Sequence, residues 1–299
     1  MAPPPLPPRQ PPRTSPRIVV YHQTHYRNND KDYVSILPLL TEPTGITHLI
    51  IAAIHLNDTP GDITLNDHPP DNPLFKPLWS EIQLFQDVGI KVLGMLGGAA
   101  KGSFTRLDGD EAKFEAFYVP LWGMLRAHKF DGLDLDVEES MSLSGVIRLI
   151  DRLKADFGDA FIITLAPVAP ALQRGPHLSG FEYDVLEVLR GGKISWYNTQ
   201  FYCGWGSMGD TQGYDLIMAC GWPANKVVAG VVTNGENGQG WVPDEILQIV
   251  VVTLMERYPG FGGIMGWEYF NSLPGGVEKP WEWAKFIETA VGLGLAITE

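Results

Sequence analysis

Between Gly132 and Glu138 the chain sets three acids, Asp134, Asp136 and Glu138, in strict alternation with Leu133, Leu135 and Val137. On a strand, residues two apart share a face and lie about 6.6 Å apart. The acids therefore form one column and the aliphatics the other, the first expected to line the interior of a sheet and the second to pack on helices. Crowded carboxylates cannot all ionise, so at least one keeps a proton near neutral pH, and burial acts in the same direction. A strand-end glutamic acid that holds its proton is a general acid, suited to protonating the leaving oxygen of a glycosidic bond. Glu138 is expected uppermost on the strand, with Asp136 beside it and Asp134 deepest. A calcium loop would need its glycine between the ligands and turn geometry around it. Here Gly132 precedes the column, so neither a metal nor any other cofactor is expected.

Most glycosidases place a second carboxylate across the sugar. Asp136 shares strand and face with Glu138, which makes attack from the opposite side of the ring awkward. A substrate whose own group attacks the anomeric carbon removes the difficulty.

What must position these acids is a series of short apolar runs alternating with helical patterns. The predicted strands are 18–22, 48–55, 91–96, 132–138, 161–166, 195–202, 227–233 and 263–267, with helices such as those within 111–129, 144–158, 243–259 and 280–294. About eight βα repeats in roughly 280 residues predict a single (β/α)8 TIM barrel over 18–299. A doubly wound sheet is the other architecture considered, but no Gly-x-Gly-x-x-Gly turn follows the first strand. Residues 1–17, rich in proline, are expected to form an extended or disordered tail. In a barrel the chemistry sits where strands end at their C-termini, and polar residues collect there: His22, Gln23 and His25; His55 and Asn57; Gly97 and Gly98; Gln200, Tyr202 and Trp205; Trp267 and Glu268. His22, His25 and His55 read as polar lining of sugar subsites rather than zinc ligands, and Gly97-Gly98 as a turn in close approach to a ligand. Trp205, Trp241 and Trp267 are the candidate sugar platforms, and the glycine-rich loop 234–241 is a candidate contact for a glycan branch.

Lys plus Arg is 22 and Asp plus Glu 35, a net charge of −13, which makes nucleic acid and anionic membranes poor partners. A neutral carbohydrate feels no such repulsion and is the expected partner; a monomer is expected. With 44% hydrophobic residues and no apolar run of membrane length, the chain reads as soluble and globular. Its N-terminus lacks signal-peptide order, so it is either cytoplasmic, or secreted with Met1 in place of a removed signal. Cys203 and Cys220 form either one disulfide or two reduced core thiols.

"DGLDLDVE", residues 131–138, resembles the DGxDxDxE signature of glycoside hydrolase family 18, which contains chitinases and endo-β-N-acetylglucosaminidases. "KVLGMLGG", "QFY" and "GIMGWEYF" are similar to that family's third, sixth and last strands, although Leu96 stands where many members have a small residue or serine. The resemblance implies a 2-acetamido oxygen as the group that attacks the anomeric carbon, Glu138 as acid/base and Asp136 as the partner that orients the acetamide. It makes Asp134 a support that shares a proton with Asp136, and Tyr202 a hydrogen-bond donor to the acetamide. Trp267 becomes the floor under the sugar and Gln200 a polar contact beside it, while Asp131 is assigned a structural role. The strand ends look closer to fungal endo-β-N-acetylglucosaminidases, which cut the chitobiose core of N-glycans, than to chitinases. A chitinase or a non-catalytic sugar-binding barrel are the alternatives. The segment 233–261 is too short for the small inserted domain of deep-cleft chitinases.

Overall fold

The computed structural model describes residues 16–298. Eight parallel strands close on themselves: β1 (Arg17–His22), β2 (His48–Leu56), β3 (Lys91–Gly97), β4 (Gly132–Asp136), β5 (Ile162–Leu165), β6 (Trp196–Gln200), β7 (Val227–Val232) and β8 (Gly263–Trp267). Closure is made by β1, which pairs with β8 on one side and β2 on the other. Helices such as Lys76–Asp87, Glu111–Ala127, Leu143–Phe157, Asp244–Arg257 and Glu282–Thr298 form the outer layer. The architecture is the (β/α)8 barrel that the alternating pattern predicts.

Side-chain parity divides the core in two. Leu133, Leu135 and Val137 of the acidic segment face outward into the layer between barrel and helices, together with Ile51, Leu149 and Leu153. Burying each such side chain contributes roughly 1.5–3 kcal/mol, which fixes the register and thereby commits the alternate acids to the interior. Inside, Val19, Tyr21, Ile50, Leu93, Met95, Trp196, Val228 and Met265 make a separate apolar plug. Helix starts are set locally: the Asp110 carboxylate accepts from the Lys113 N–H, and the Ser142 hydroxyl from the Gly145 N–H.

Three expectations change at the strand ends. β4 stops at Asp136, so Glu138 sits on the loop that follows, where its N–H reaches the Asp136 carbonyl. β6 likewise stops at Gln200, ahead of Tyr202. The predicted tail falls outside the described residues up to 15, but Arg17 belongs to the barrel. Its N–H bonds the Gly262 carbonyl and its guanidinium lies 4.6 Å from the ring centre of Trp196. Of the options for the cysteines the reduced one holds in part: Cys203 and Cys220 are both unpaired, but both are exposed rather than in the core. Between β7 and β8 the chain forms a 3-10 turn and one helix, as the segment's length requires. Among the described residues no helix is long and apolar enough to cross a membrane.

The packing also buries imidazoles. Burial pushes His25 down to about 4 and His48 to about 3, against about 6.5 in an unfolded chain. The folded state therefore binds fewer protons than the unfolded one in this window. The stability these histidines contribute is whole above about pH 6.5 and is lost as pH falls toward those values, at up to about 1.4 kcal/mol per unit for each. Asp134, Asp136, Glu138 and Glu268 are shifted upward by burial and act in the opposite sense. A difference measurement cancels them: between pH 6.5 and 4, urea unfolding of His48→Gln should show a loss of stability smaller than wild type by about 1–3 kcal/mol. Parallel losses would remove His48 from this account.

Candidate active site

The three acids of the column have different surroundings. Asp134, fully buried, accepts from the Tyr21 hydroxyl at 2.7 Å, the Thr164 hydroxyl at 2.5 Å and the Asn198 amide at 3.1 Å. Asp136 has one side-chain donor, the Gln200 amide at 3.1 Å, and Glu138 takes a longer contact of 3.4 Å from the same nitrogen. That nitrogen also donates to the Ala166 carbonyl at 2.9 Å. A carbonyl only accepts, so this bond fixes which way the Gln200 amide faces.

Burial raises all three carboxyls. Asp134 is offset by its three donors, which favour the ionised form. Asp136 is driven up hardest, by burial and then by the charges of Glu138 and Asp134, against the single Gln200 bond. For Glu138 burial leads, countered by Gln200 and by the charge of Lys101. Asp134 is thus the group fitted to stay charged, while Asp136 and Glu138 titrate as a pair that holds a proton between them. No hydrogen bond joins Asp134 to Asp136 in the structure; both Asp134 oxygens are already engaged.

A cleft of about 450 Å³ opens over the pair. Gly97, Gly98, Asp136, Glu138, Gln200, Tyr202, Trp205 and Trp267 all line it, as do Gln23 and His55. Gly97 has φ +95°, and a Cβ there would stand 2.5 Å from the Asp136 carbonyl oxygen, so glycine is required for β3 to pass β4 at the site. The Gly98 N–H donates to that same carbonyl at 2.9 Å. The Tyr202 side chain has no hydrogen-bond partner among the described residues, and burial together with the acids beneath keeps its hydroxyl protonated. It is a free donor facing the cleft. Trp267 is partly buried and meets Tyr21 edge-on at 5.6 Å.

The outer residues separate. Asn57 lines an adjoining chamber rather than the cleft, and His55 lies in the wall between the two. Trp241 is exposed on the loop after β7 and borders neither space. His22 is corrected from a subsite position: it is fully buried, edge-on to Tyr269 and His25, with both ring nitrogens unpartnered. The alternation that turns Val19 and Tyr21 into the barrel turns His22 outward, toward the layer under the helices. Asp131 takes the structural place expected of it, accepting from the Val92 N–H, Gln86 and Lys91. Reading the acids alone overlooked Thr164 and Asn198, although a polar residue of inward parity inside the buried runs "IITL" and "WYNTQ" is a usable signal. Glu139, the acid next to Glu138, is also structural; it accepts from the Gly102 and Phe104 N–H groups and pins the loop after β3.

Comparison with known proteins agrees with this geometry. A family model described as "Glycosyl hydrolases family 18" matches residues 17–240. A fungal endo-β-N-acetylglucosaminidase of that family superposes with a TM-score of 0.88 at 49% identity, over 92% of this chain and 98% of that one. Chitinase ChiC from Aspergillus fumigatus gives a TM-score of 0.85 at 57% identity, over 92% and 99%. Chitinase 2 of Rhizopus oligosporus is 27% identical over 208 residues, which are 63% of this chain and 36% of that protein. The matched stretch spans 36%, 59% and 49% of the length of three curated relatives that the chain is similar to.

Proposed function

The chain belongs to glycosyl hydrolases family 18, and from that premise we propose that it is a retaining, substrate-assisted endo-β-N-acetylglucosaminidase cutting the β-1,4 bond of the N-glycan chitobiose core. The observation that carries the reading is the Asp136–Glu138 pair, bridged by one Gln200 nitrogen beneath a cleft that also holds Tyr202 and Trp267. A pair with one proton has two arrangements. When an acetamide N–H faces Asp136, the ionised form of Asp136 is favoured and the proton goes to Glu138, where it is needed. Glu138 then protonates the departing oxygen as the C1–O bond breaks, and the acetamide oxygen bonds to C1, forming an oxazolinium ion. Asp136 holds its N–H, and Tyr202 is placed to donate to the acetamide oxygen. In the second half, the Glu138 carboxylate removes a proton from water as the water oxygen attacks C1, reopening the ring with retention and restoring the acid. Trp267 offers an apolar face to the sugar ring.

The short β7–β8 connection, a 3-10 turn and one helix with no inserted domain, and the likeness to a fungal endo-β-N-acetylglucosaminidase favour the N-glycan substrate. Chitin cleavage is the second reading, favoured by the higher identity to ChiC, 57% against 49%. Incubation with a high-mannose glycoprotein and, separately, with chitin oligomers decides between them by mass spectrometry. Release of a glycan that leaves one N-acetylglucosamine on the protein is the expected result. Shortened chitin oligomers with an untouched glycoprotein would establish a chitinase instead.

A further inference from the structure

Beside the catalytic cleft lies a larger chamber of about 740 Å³, and the two share Gln23, His55 and Ala100 as a common wall. Besides His55 and Leu56 at the end of β2, its walls include segments outside the eight strands: the hairpin of Tyr26–Arg27 and Asp32–Tyr33 after β1, and the short strand Ile63–Leu65 that folds back antiparallel on the end of β2. His68 and Asp30 meet across its rim at 3.3 Å.

Gln23 is fixed where the two spaces meet. Its N–H donates to a carboxylate oxygen of buried Glu268 at 2.9 Å, an oxygen that also accepts from the Thr24 N–H at 2.8 Å. On the other side its carbonyl accepts from the Asn66 amide at 2.8 Å, while the Asn66 oxygen accepts from the Ala53 N–H. The end of β8, the loop after β1 and the turn after Leu65 are thereby tied through one residue. The main chain of Gln23 is held on both sides, yet its side-chain amide has no hydrogen-bond partner among the described residues and faces both spaces. Asp67, exposed in the chamber wall, likewise has no side-chain hydrogen bond, and neither does the His55 ring.

We infer that this chamber receives the mannose-rich branch of the glycan, and that Gln23, held by Glu268 and Asn66, is the specificity-determining residue at its entrance. The inference rests on the N-glycan reading given above and names how this chain would prefer a branched substrate. A straight chitin chain is gripped by flat aromatic faces along a groove, whereas no tryptophan lines this chamber, and of its other large rings Phe75 is buried edge-on against His25, leaving Tyr26 partly exposed. It offers an amide, an imidazole and a carboxylate, groups that exchange hydrogen bonds with the hydroxyls of an uncharged sugar. It also exceeds the cleft in volume, which suits a branch better than a single further ring.

The test uses Glu138→Gln protein, so that intact substrate persists, and measures Kd by calorimetry. One probe is a high-mannose glycopeptide and the other the same peptide carrying only the chitobiose unit. The glycopeptide is expected to bind at least tenfold more tightly, and adding Gln23→Ala or Asp67→Ala should reduce that ratio to about 1–2. Asp67 is exposed, so its variant separates loss of a contact from loss of the fold. An unchanged ratio in both variants, with wild type still cutting the glycopeptide, overturns the chamber and leaves the N-glycan reading standing. If wild type cuts chitotetraose and not the glycopeptide, the reading fails and the chamber's assignment falls with it.

Discussion

Glu138→Gln is expected to lower turnover of a high-mannose glycoprotein by about 10²–10⁴-fold while the protein stays folded and still binds the glycan. The size follows from the geometry. Glu138 is the only acid of the column that rises off the strand into the cleft, half-buried, with a single long contact from Gln200. Removing its carboxyl leaves no other carboxyl above Asp136 among the described residues lining the cleft, since the neighbouring Glu139 is turned away and committed to the Gly102 and Phe104 N–H groups, and the Tyr202 hydroxyl is too weak an acid to replace it. The replacement amide keeps the shape and breaks no buried network, so the loss should appear in kcat and not in thermal stability. The pH profile carries a second signature. Burial raises Glu138 above the usual glutamate range, so its protonated fraction, and with it the wild-type rate, falls as pH rises through the titration of the Asp136–Glu138 pair. The residual rate of Glu138→Gln should lack that alkaline limb. Undiminished turnover in the variant would place the acid elsewhere, and an inert wild type would leave a sugar-binding barrel.

Much of this was legible in the sequence because the decisive signal is local. Strict alternation over Gly132–Glu138 tells which face each residue takes, and the aliphatic half fixes the outcome through burial. The same reasoning failed for His22, where a polar residue at a strand end suggested a subsite. A single imidazole can satisfy the outward parity of β1 by packing against Tyr269 and His25, and composition alone does not separate the two placements. The ends of β4 and β6 were read too long because the patterns continue through Glu138 and Tyr202 after the ladder has stopped. Least legible were the contacts that bring distant segments together. Nothing local to Glu268 announces that it accepts from Gln23 and Thr24, more than two hundred residues earlier. Nor does Asn66 announce its hold on the other side of Gln23. Such pairs exist only once β8 closes on β1, so the chamber they support is a property of closure.

Asp136→Asn should separate the two halves of the reaction. Formation of the oxazolinium from an intact glycopeptide is expected to fall by about 10²–10³-fold, the loss typical of one preorganised group facing developing charge. Reaction of a supplied sugar oxazoline with water or an acceptor should fall much less, by about tenfold or under. The asymmetry comes from what Asp136 must do in each half. In the first it has to be ionised, to stabilise the acetamide N–H with a full charge and to send the shared proton to Glu138; an asparagine oxygen can still accept that N–H, but it carries no charge and the residue has no proton to pass on. In the second the ring is already formed, and the chemistry left is removal of a proton from water by the Glu138 carboxylate. Loss of Asp136 also uncouples Glu138 from the pair whose like charges keep one proton between them. The apparent pKa of the remaining acid should therefore move down, and the optimum of the residual first half should shift to lower pH than wild type. Equal losses in both halves would mean that Asp136 acts on the column's overall charge and does not touch the acetamide. Thr164, Asn198 and Tyr21 make that alternative testable in turn: their hydrogen bonds favour the ionised form of Asp134 against the burial that raises it, so weakening one of them would reproduce the charge effect without disturbing any contact to substrate.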